Sequence, residues 1–276
     1  PTSSLTGCVP ELRPVRNWYF DLPNFREQLG EIAENLEADP EVRPVVSQTA
    51  KEFLVPPVIY IKNELEADYR AIESKLPAHE FHAAEGNKQS FELEFANIES
   101  RDAARDELTA AGIRFRTGKA LVPFRISGNV EWGVKVPEME GVDDLTVWCW
   151  PESLWAPVSF SATALEARGE ELSAVRDWWC SPDARVYQFI GQDNLYFYGV
   201  AQPALWMALE NGNAEVAYPQ PGDLQQTTLI ANHHILFGKV KASSSGAVKP
   251  PSADQLLEHY TVDQLRAHWL GLGLDV

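Results

Sequence analysis

Near the start of the chain Phe25, Leu29, Ile32 and Leu36 recur at helical spacing, so that all four fall on one face. Asn24 followed three residues later by Glu27 has the form of a capping box, and the pattern predicts an amphipathic helix opening there. Around the Pro56-Pro57 pair the run from Val55 to Ile61 is apolar and β-branched, which predicts a buried strand, with a polar helix following from Asn63 to Leu76. Ser100 is placed to cap a helix over Arg101 to Ala111, closed by Gly112 in the left-handed region. Ile113-Arg114-Phe115-Arg116 then alternates like a strand. A Thr117-Gly118 turn and a second run to Ile126 complete a predicted local hairpin.

Beyond Pro137 the texture becomes aromatic and proline-punctuated, in Val147-Trp148-Cys149-Trp150 and Leu154-Trp155-Ala156-Pro157. Val186 to Val200 is an apolar and aromatic run broken at Gly191-Gln192-Asp193-Asn194. The end of the chain is predicted helical, because Ser252 with Gln255 and Thr261 with Gln264 form two successive capping boxes. Leu265, Trp269 and Leu272 read as a packed helical face. Strand-like runs interleaved with capped helices make the fold class α/β.

The chain has 276 residues, 45% of them hydrophobic, which suits two compact units or one large one and excludes a disordered or collagen-like chain. A formal charge of -17 repels polyanions. DNA is therefore not an expected partner, and any nucleic-acid contact needs a local basic patch. Arg114, Arg116, Lys119 and Arg125 form the one long basic interval; they read either as a phosphate contact or as the solvated face of a half-buried strand. No run approaches the length of a membrane span, and no signal peptide opens the chain, so a cytoplasmic location is expected. The lack of an initiator Met suggests a piece of a longer chain. Cys8, Cys149 and Cys180 lie too far apart for a thiolate cage, so buried free thiols and no structural zinc are expected. His233 and His234, read as strand neighbours, point to opposite faces and cannot easily share a metal. Phosphate-loop, zincin and nucleophile-elbow signatures are absent.

Several motifs, in order, resemble the class I methionyl-tRNA synthetases. Tyr19-Phe20-Asp21-Leu22-Pro23-Asn24-Phe25 is similar to the F-F-D-L-P-x-F of that family's connective insertion, and Trp132-Gly133-Val134-Lys135-Val136-Pro137 to its W-G-V-P-V-P. Leu154-Trp155-Ala156-Pro157-Val158-Ser159-Phe160 resembles L-D-A-P-I-G-Y. Phe189-Ile190-Gly191-Gln192-Asp193-Asn194-Leu195-Tyr196-Phe197-Tyr198 resembles F-I-G-K-D-N-x-x-F-H. Gly238 to Gly246 stands where the family has G-x-K-M-S-K-S-x-G, and Asp263-Gln264-Leu265-Arg266 resembles D-x-L-R. The stretch from Asn63 to about Gly112 has no counterpart in this comparison.

The resemblance implies an α/β connective insertion over residues 1–145. Residues 146–276 would form the C-terminal half of a Rossmann-like catalytic domain, with Val147 and Phe189 in one parallel sheet. It implies amino-acid activation by ATP with Mg2+, with methionine or a related amino acid as substrate, and leaves open which amino acid and which RNA, tRNA being the candidate, are used. Gly191 and Asp193 would hold the adenosine ribose, with Tyr198 at the position of the family's His. Trp148, Leu154, Ala156 and Pro157 would shape the amino-acid pocket, although which Trp takes the family's pocket position is left open. Lys241, Ser243 and Ser244 would lie on the loop over the phosphates. Aligning both glycines puts Val240 and Ser243 at the two signature lysines, whereas sliding by one puts Lys241 and Ser244 there. Either way the second lysine is lost. A non-catalytic paralogue binding an amino acid, a nucleotide or a protein is the alternative that this loss supports.

Overall fold

The computed structural model describes residues 2–3, 7–9, 11, 14–139, 141–211, 218–237, 240–241 and 249–272. A short strand β1 (Tyr19–Phe20) leads through a 3-10 turn at Leu22–Phe25 into α1 (Arg26–Ala38), followed by α2 (Pro44–Leu54). Leu29 and Ile32 of α1 are buried, as the periodicity predicts, Leu36 is partly buried, and Ala33 is buried with them. The capping box is not formed. Pro23 starts the chain turning one step early, so Asn24 lies inside the 3-10 turn and donates to Asp21 Oδ2 at 3.0 Å.

Next comes a βαββαβ unit: β2 (Val58–Lys62), α3 (Glu66–Ile72), β3 (His79–His82), β4 (Ser90–Phe95), α4 (Ile98–Ala110) and β5 (Phe115–Thr117). Its strands form one antiparallel sheet in the order β3-β4-β2-β5, the split arrangement in which each helix connects strands lying either side of a third. Strand β4 alternates strictly, with Phe91, Leu93 and Phe95 inward and Ser90, Glu92 and Glu94 outward. The inward residues meet Ile59, Ile61, Tyr69, Ala104 and Leu108 in a core that the unit closes by itself.

Two local readings are corrected within this unit. The predicted helix from Asn63 to Leu76 is α-helical only over α3, with 3-10 turns at Asn63–Leu65 and Glu73–Lys75. The cap of α4 is Asn97, whose side chain accepts from Ser100 N at 2.8 Å, so the helix begins earlier than a Ser100 cap would allow. Gly112 closes it with φ +74°, as expected.

The predicted hairpin after Gly112 does not form. Strand β5 pairs with β2, whereas β6 (Phe124–Arg125) pairs with β1, Phe20 opposite Phe124. Phe115 packs against the core of the βαββαβ unit and Phe124 belongs to a different core with Leu22 and Leu121, so the two strands part. The antiparallel pair β7 (Ser127–Gly128) and β8 (Thr146–Val147) precedes the long helix α5 (Cys149–Ala167) and the short α6 (Val175–Trp179). Strand β9 (Tyr187–Gly191) then crosses through a π-helical turn at Phe197–Ala201 and α7 (Gln202–Asn211) to β10 (Thr228–Asn232), which lies parallel to it. Val147 and Phe189 therefore stand in different sheets, against the expectation of one shared parallel sheet. The two-residue strand β8 is spent on β7.

A second core joins Leu22, Leu29 and Ala50 to Leu121, Phe124, Leu154, Val200 and Ala204, and so draws on both sides of residue 145. The chain ends in a small hairpin, β11 (Leu236–Phe237) with β12 (Val240–Lys241), and two helices, α8 (Ala253–Leu257) and α9 (Val262–Leu270). Both predicted capping boxes are present. The packed face is not: Trp269 is 45% and Leu272 41% exposed. No helix among the described residues is long and apolar enough to cross a membrane.

Candidate functional site

The parallel register sets Gly191 beside Asn232, so β9 and β10 end together and their carboxyl ends open on the same edge. Open α/β sheets bind ligands at this end of their strands. The chain turns immediately, in a 3-10 turn over Gln192–Asn194. A Cβ placed on Gly191 would stand 2.6 Å from Asp193 Oδ1. Glycine is thus what lets the Asp193 carboxylate fold back over the strand end. That carboxylate is exposed and has no ion-pair partner among the described residues.

Neighbouring groups hold this edge in place. His233 Nδ1 lies 2.7 Å from Gln192 Oε1, to which its N–H donates. Both histidines lie just past the end of β10 rather than on the strand, and His233 Nδ1 serves the turn. The half-buried Arg43 donates from Nη1 to Ala231 O at 2.9 Å and also to Asn232 Oδ1, tying the start of α2 to the end of β10.

Beneath the edge lies a polar network that the sequence reading missed. Gln188 Nε2 donates to Gln202 Oε1 and to Thr227 Oγ1, both at 2.9 Å, and Gln202 Nε2 donates to Leu154 O at 2.9 Å. Both glutamines are buried, so β9, α7 and α5 are locked together by bonds that have no water to replace them. The signal was a lone glutamine in the apolar run Val186 to Ile190.

The expected pocket residues lie around α5. Trp148 sits 6.4 Å from the Phe124 ring, with the Arg125 guanidinium 5.4 Å from the Trp148 ring centre, and Trp150 stacks on Phe197 at 3.6 Å. Both tryptophans therefore belong to one aromatic cluster with Tyr196, whose hydroxyl burial pushes up to a pKa of about 12. Leu154 is fully buried and supports the cluster from behind. Ala156 and Pro157 are half-buried. Pro157 lies inside α5, where it lacks the N–H that would bond the Ser153 carbonyl.

Tyr198 belongs to the π-helical turn and lines a cavity of about 20 Å³ with Gln202, Trp206 and Leu229, room for about one water. Lys241 ends the hairpin strand β12, paired with Leu236. Ser243 and Ser244 lie outside the described residues.

Within the basic interval Arg114 and Arg116 are exposed. Lys119 pairs with Glu52 and lies over Phe53, the Arg116 guanidinium lies 5.2 Å from the Tyr60 ring centre, and Arg125 serves Trp148 and the Ser127 carbonyl. All three cysteines are free, but only Cys180 is buried. Cys8 and Cys149 are exposed, against the expectation of buried thiols.

Residues 87–271, about two thirds of the chain, match the family model of the tRNA synthetases class I (M). The chain belongs to that family. The matched span begins inside the βαββαβ unit, so the second half of the stretch that had no counterpart in the motif comparison falls within the synthetase match. Among curated relatives, the methionine–tRNA ligase of Chloroflexus aggregans is 31% identical over 54% of this chain and 26% of its own length. That of Korarchaeum cryptofilum is 26% identical over 78% of the chain and 26% of its own length. That of Thermofilum pendens is 22% identical over 96% of the chain and 33% of its own length. The chain spans about a quarter to a third of these synthetases.

Proposed function

We propose that this chain is part of a methionyl-tRNA-synthetase-like class I ligase, which joins an amino acid to AMP using ATP and transfers it to tRNA. The observation that carries the reading is the Gly191-to-Asp193 turn at the shared carboxyl ends of two parallel strands. A carboxylate there accepts hydrogen bonds from the two ribose hydroxyls, and the missing Cβ of Gly191 leaves room for that carboxylate to take up this position. Arg43 and the His233–Gln192 pair keep the edge in one geometry, which is what catalysis by positioning requires.

In this reading Trp148, Ala156 and Pro157 shape the amino-acid pocket, methionine being its occupant, with Leu154 holding the wall. Tyr198 supports the nucleotide side through the π-helical turn. Lys241 introduces the loop with Ser243 and Ser244, which lies over the phosphates, and Mg2+ accompanies the nucleotide. The insertion covers residues 1–145 in sequence and the catalytic half 146–276, although the two share a packed core. The protein works in the cytoplasm.

The serines at the signature lysine position favour a second reading, a non-catalytic paralogue that binds ligand without activating it. Calorimetric titration of the chain with ATP and adenosine, with Asp193→Ala as comparison, tests the site. Adenosine binding that Asp193→Ala weakens supports it, and equal binding by both proteins sinks it. Amino-acid-dependent pyrophosphate exchange by the longest natural form then separates ligase from paralogue.

A further inference from the structure

The sheet of the βαββαβ unit has one face under its helices and one open face. Because side chains alternate, Glu80 and His82 of β3 and Glu92 and Glu94 of β4 all point to the open face. The register puts Glu80 directly opposite Glu94. Two carboxylates in that relation repel each other.

Several other carboxylates of this unit are met by cations. Lys88 holds Glu92 at 3.0 Å, Arg70 holds Glu66 and Glu73, and Arg101 and Arg105 hold Asp102. Glu80 and Glu94 meet no lysine or arginine among the described residues. Their shared neighbour is His82, whose Nε2 lies 3.9 Å from Glu80 Oε2 and 3.4 Å from Glu94 Oε2. One donor atom from each of the three residues lies within 4.8 Å of the others, the one such trio among the described residues.

A tetrahedral zinc ion with bonds of about 2.0–2.1 Å to nitrogen and oxygen holds its donors about 3.4 Å apart. The His82–Glu94 edge already has that length. Glu80, with its side chain 78% exposed, is free to close the small remaining gap. Carboxylates alone suit Mg2+ or Ca2+, whereas an imidazole among them shifts the preference to transition ions. We infer that Glu80, His82 and Glu94 form a binding site for a divalent transition-metal ion, zinc by the fit of its geometry, with water in the fourth position. The sequence argument against zinc concerns a cysteine cage and a spaced pair of histidines, and this donor set needs neither. The site belongs to the βαββαβ unit, so its failure would leave the nucleotide reading untouched.

The test is calorimetric titration of the 276-residue chain, with Cys8→Ser and Cys149→Ser to remove the exposed thiols, using ZnCl2 and then MgCl2. One equivalent of zinc should bind, and magnesium more weakly. His82→Asn and Glu94→Gln should each weaken zinc by at least the ~10-fold that loss of a mere supporting partner costs. Glu92→Gln, on the same face but paired with Lys88, should leave affinity unchanged. Circular dichroism checks that these surface variants stay folded. Absence of saturable zinc binding, equal affinity in the parent chain and His82→Asn, or magnesium binding as tightly as zinc would each overturn the assignment.

Discussion

The Asp193 carboxylate occupies the space where a side chain on Gly191 would begin, 2.6 Å from the would-be Cβ. Because Asp193 is exposed and free to swing away, Gly191→Ala should cost little stability, within about 1 kcal/mol. It should nevertheless weaken adenosine binding about 10- to 100-fold, the worth of hydrogen bonds to a charged group. Combined with Asp193→Ala it should add almost nothing, since both changes remove one contact. Additive losses in a double-mutant cycle would mean that Gly191 acts independently of Asp193.

Gln188 and Gln202 should behave as a unit. Replacing either by Leu strands a buried partner and should destabilise by about 1–3 kcal/mol. Replacing both removes donor and acceptor together, so the double variant should lose less than the sum. Urea melts of the three variants measure this, and strict additivity would argue against a coupled network.

The βαββαβ unit closes its own core, so a peptide of residues 56–118 should fold alone. A unit of this size is marginal but viable. A cooperative thermal transition by circular dichroism is expected, and Leu93→Ala should abolish it by removing about 2–5 kcal/mol of packing. A gradual, non-cooperative melt of the parent peptide would show that the unit depends on the rest of the chain.

Burial raises the Tyr196 pKa to about 12, above its ordinary value of 10.0. The stability linked to this proton is fully present below pH 10 and is lost as pH rises from 10 through 12. Between those values the parent protein should therefore lose at most about 2–3 kcal/mol more than Tyr196→Phe does. Urea melts across the alkaline range report it. Parallel curves would show that the hydroxyl is solvated in the folded protein.

Installing a lysine at the signature position should reveal whether the phosphate loop still serves chemistry. In the longest active form, Ser243→Lys or Ser244→Lys, whichever is in frame, should raise pyrophosphate exchange by roughly 100-fold, the value of one positioned charge-stabilising donor. The 276-residue chain alone should exchange far more slowly than that form. A fully active short chain would refute the dependence on further sequence. No gain from either lysine, with ATP binding intact, would favour the non-catalytic paralogue.

What the sequence determined by itself is what few-residue contacts decide. The capping boxes at Ser252–Gln255 and Thr261–Gln264 formed as read, because both partners of each bond lie within one helical turn. The alternation of Ser90 to Phe95 was equally legible, since side-chain direction follows the pleat of a single strand. The break of the apolar run at Gly191-Gln192-Asp193-Asn194 was legible as a strand end, whereas its reading as a ribose site came from the family resemblance. Tertiary structure decided the rest. That β6 joins β1 rather than β5, and that Val147 and Phe189 part into different sheets, depends on which distant apolar surfaces each short strand can cover. The Glu80–His82–Glu94 trio likewise comes from register, because a shift of one residue between β3 and β4 would turn one of its strands' side chains to the other face. Hydrogen bonds local in sequence can be read along a chain, whereas the choice of partner strand is made by the whole core at once.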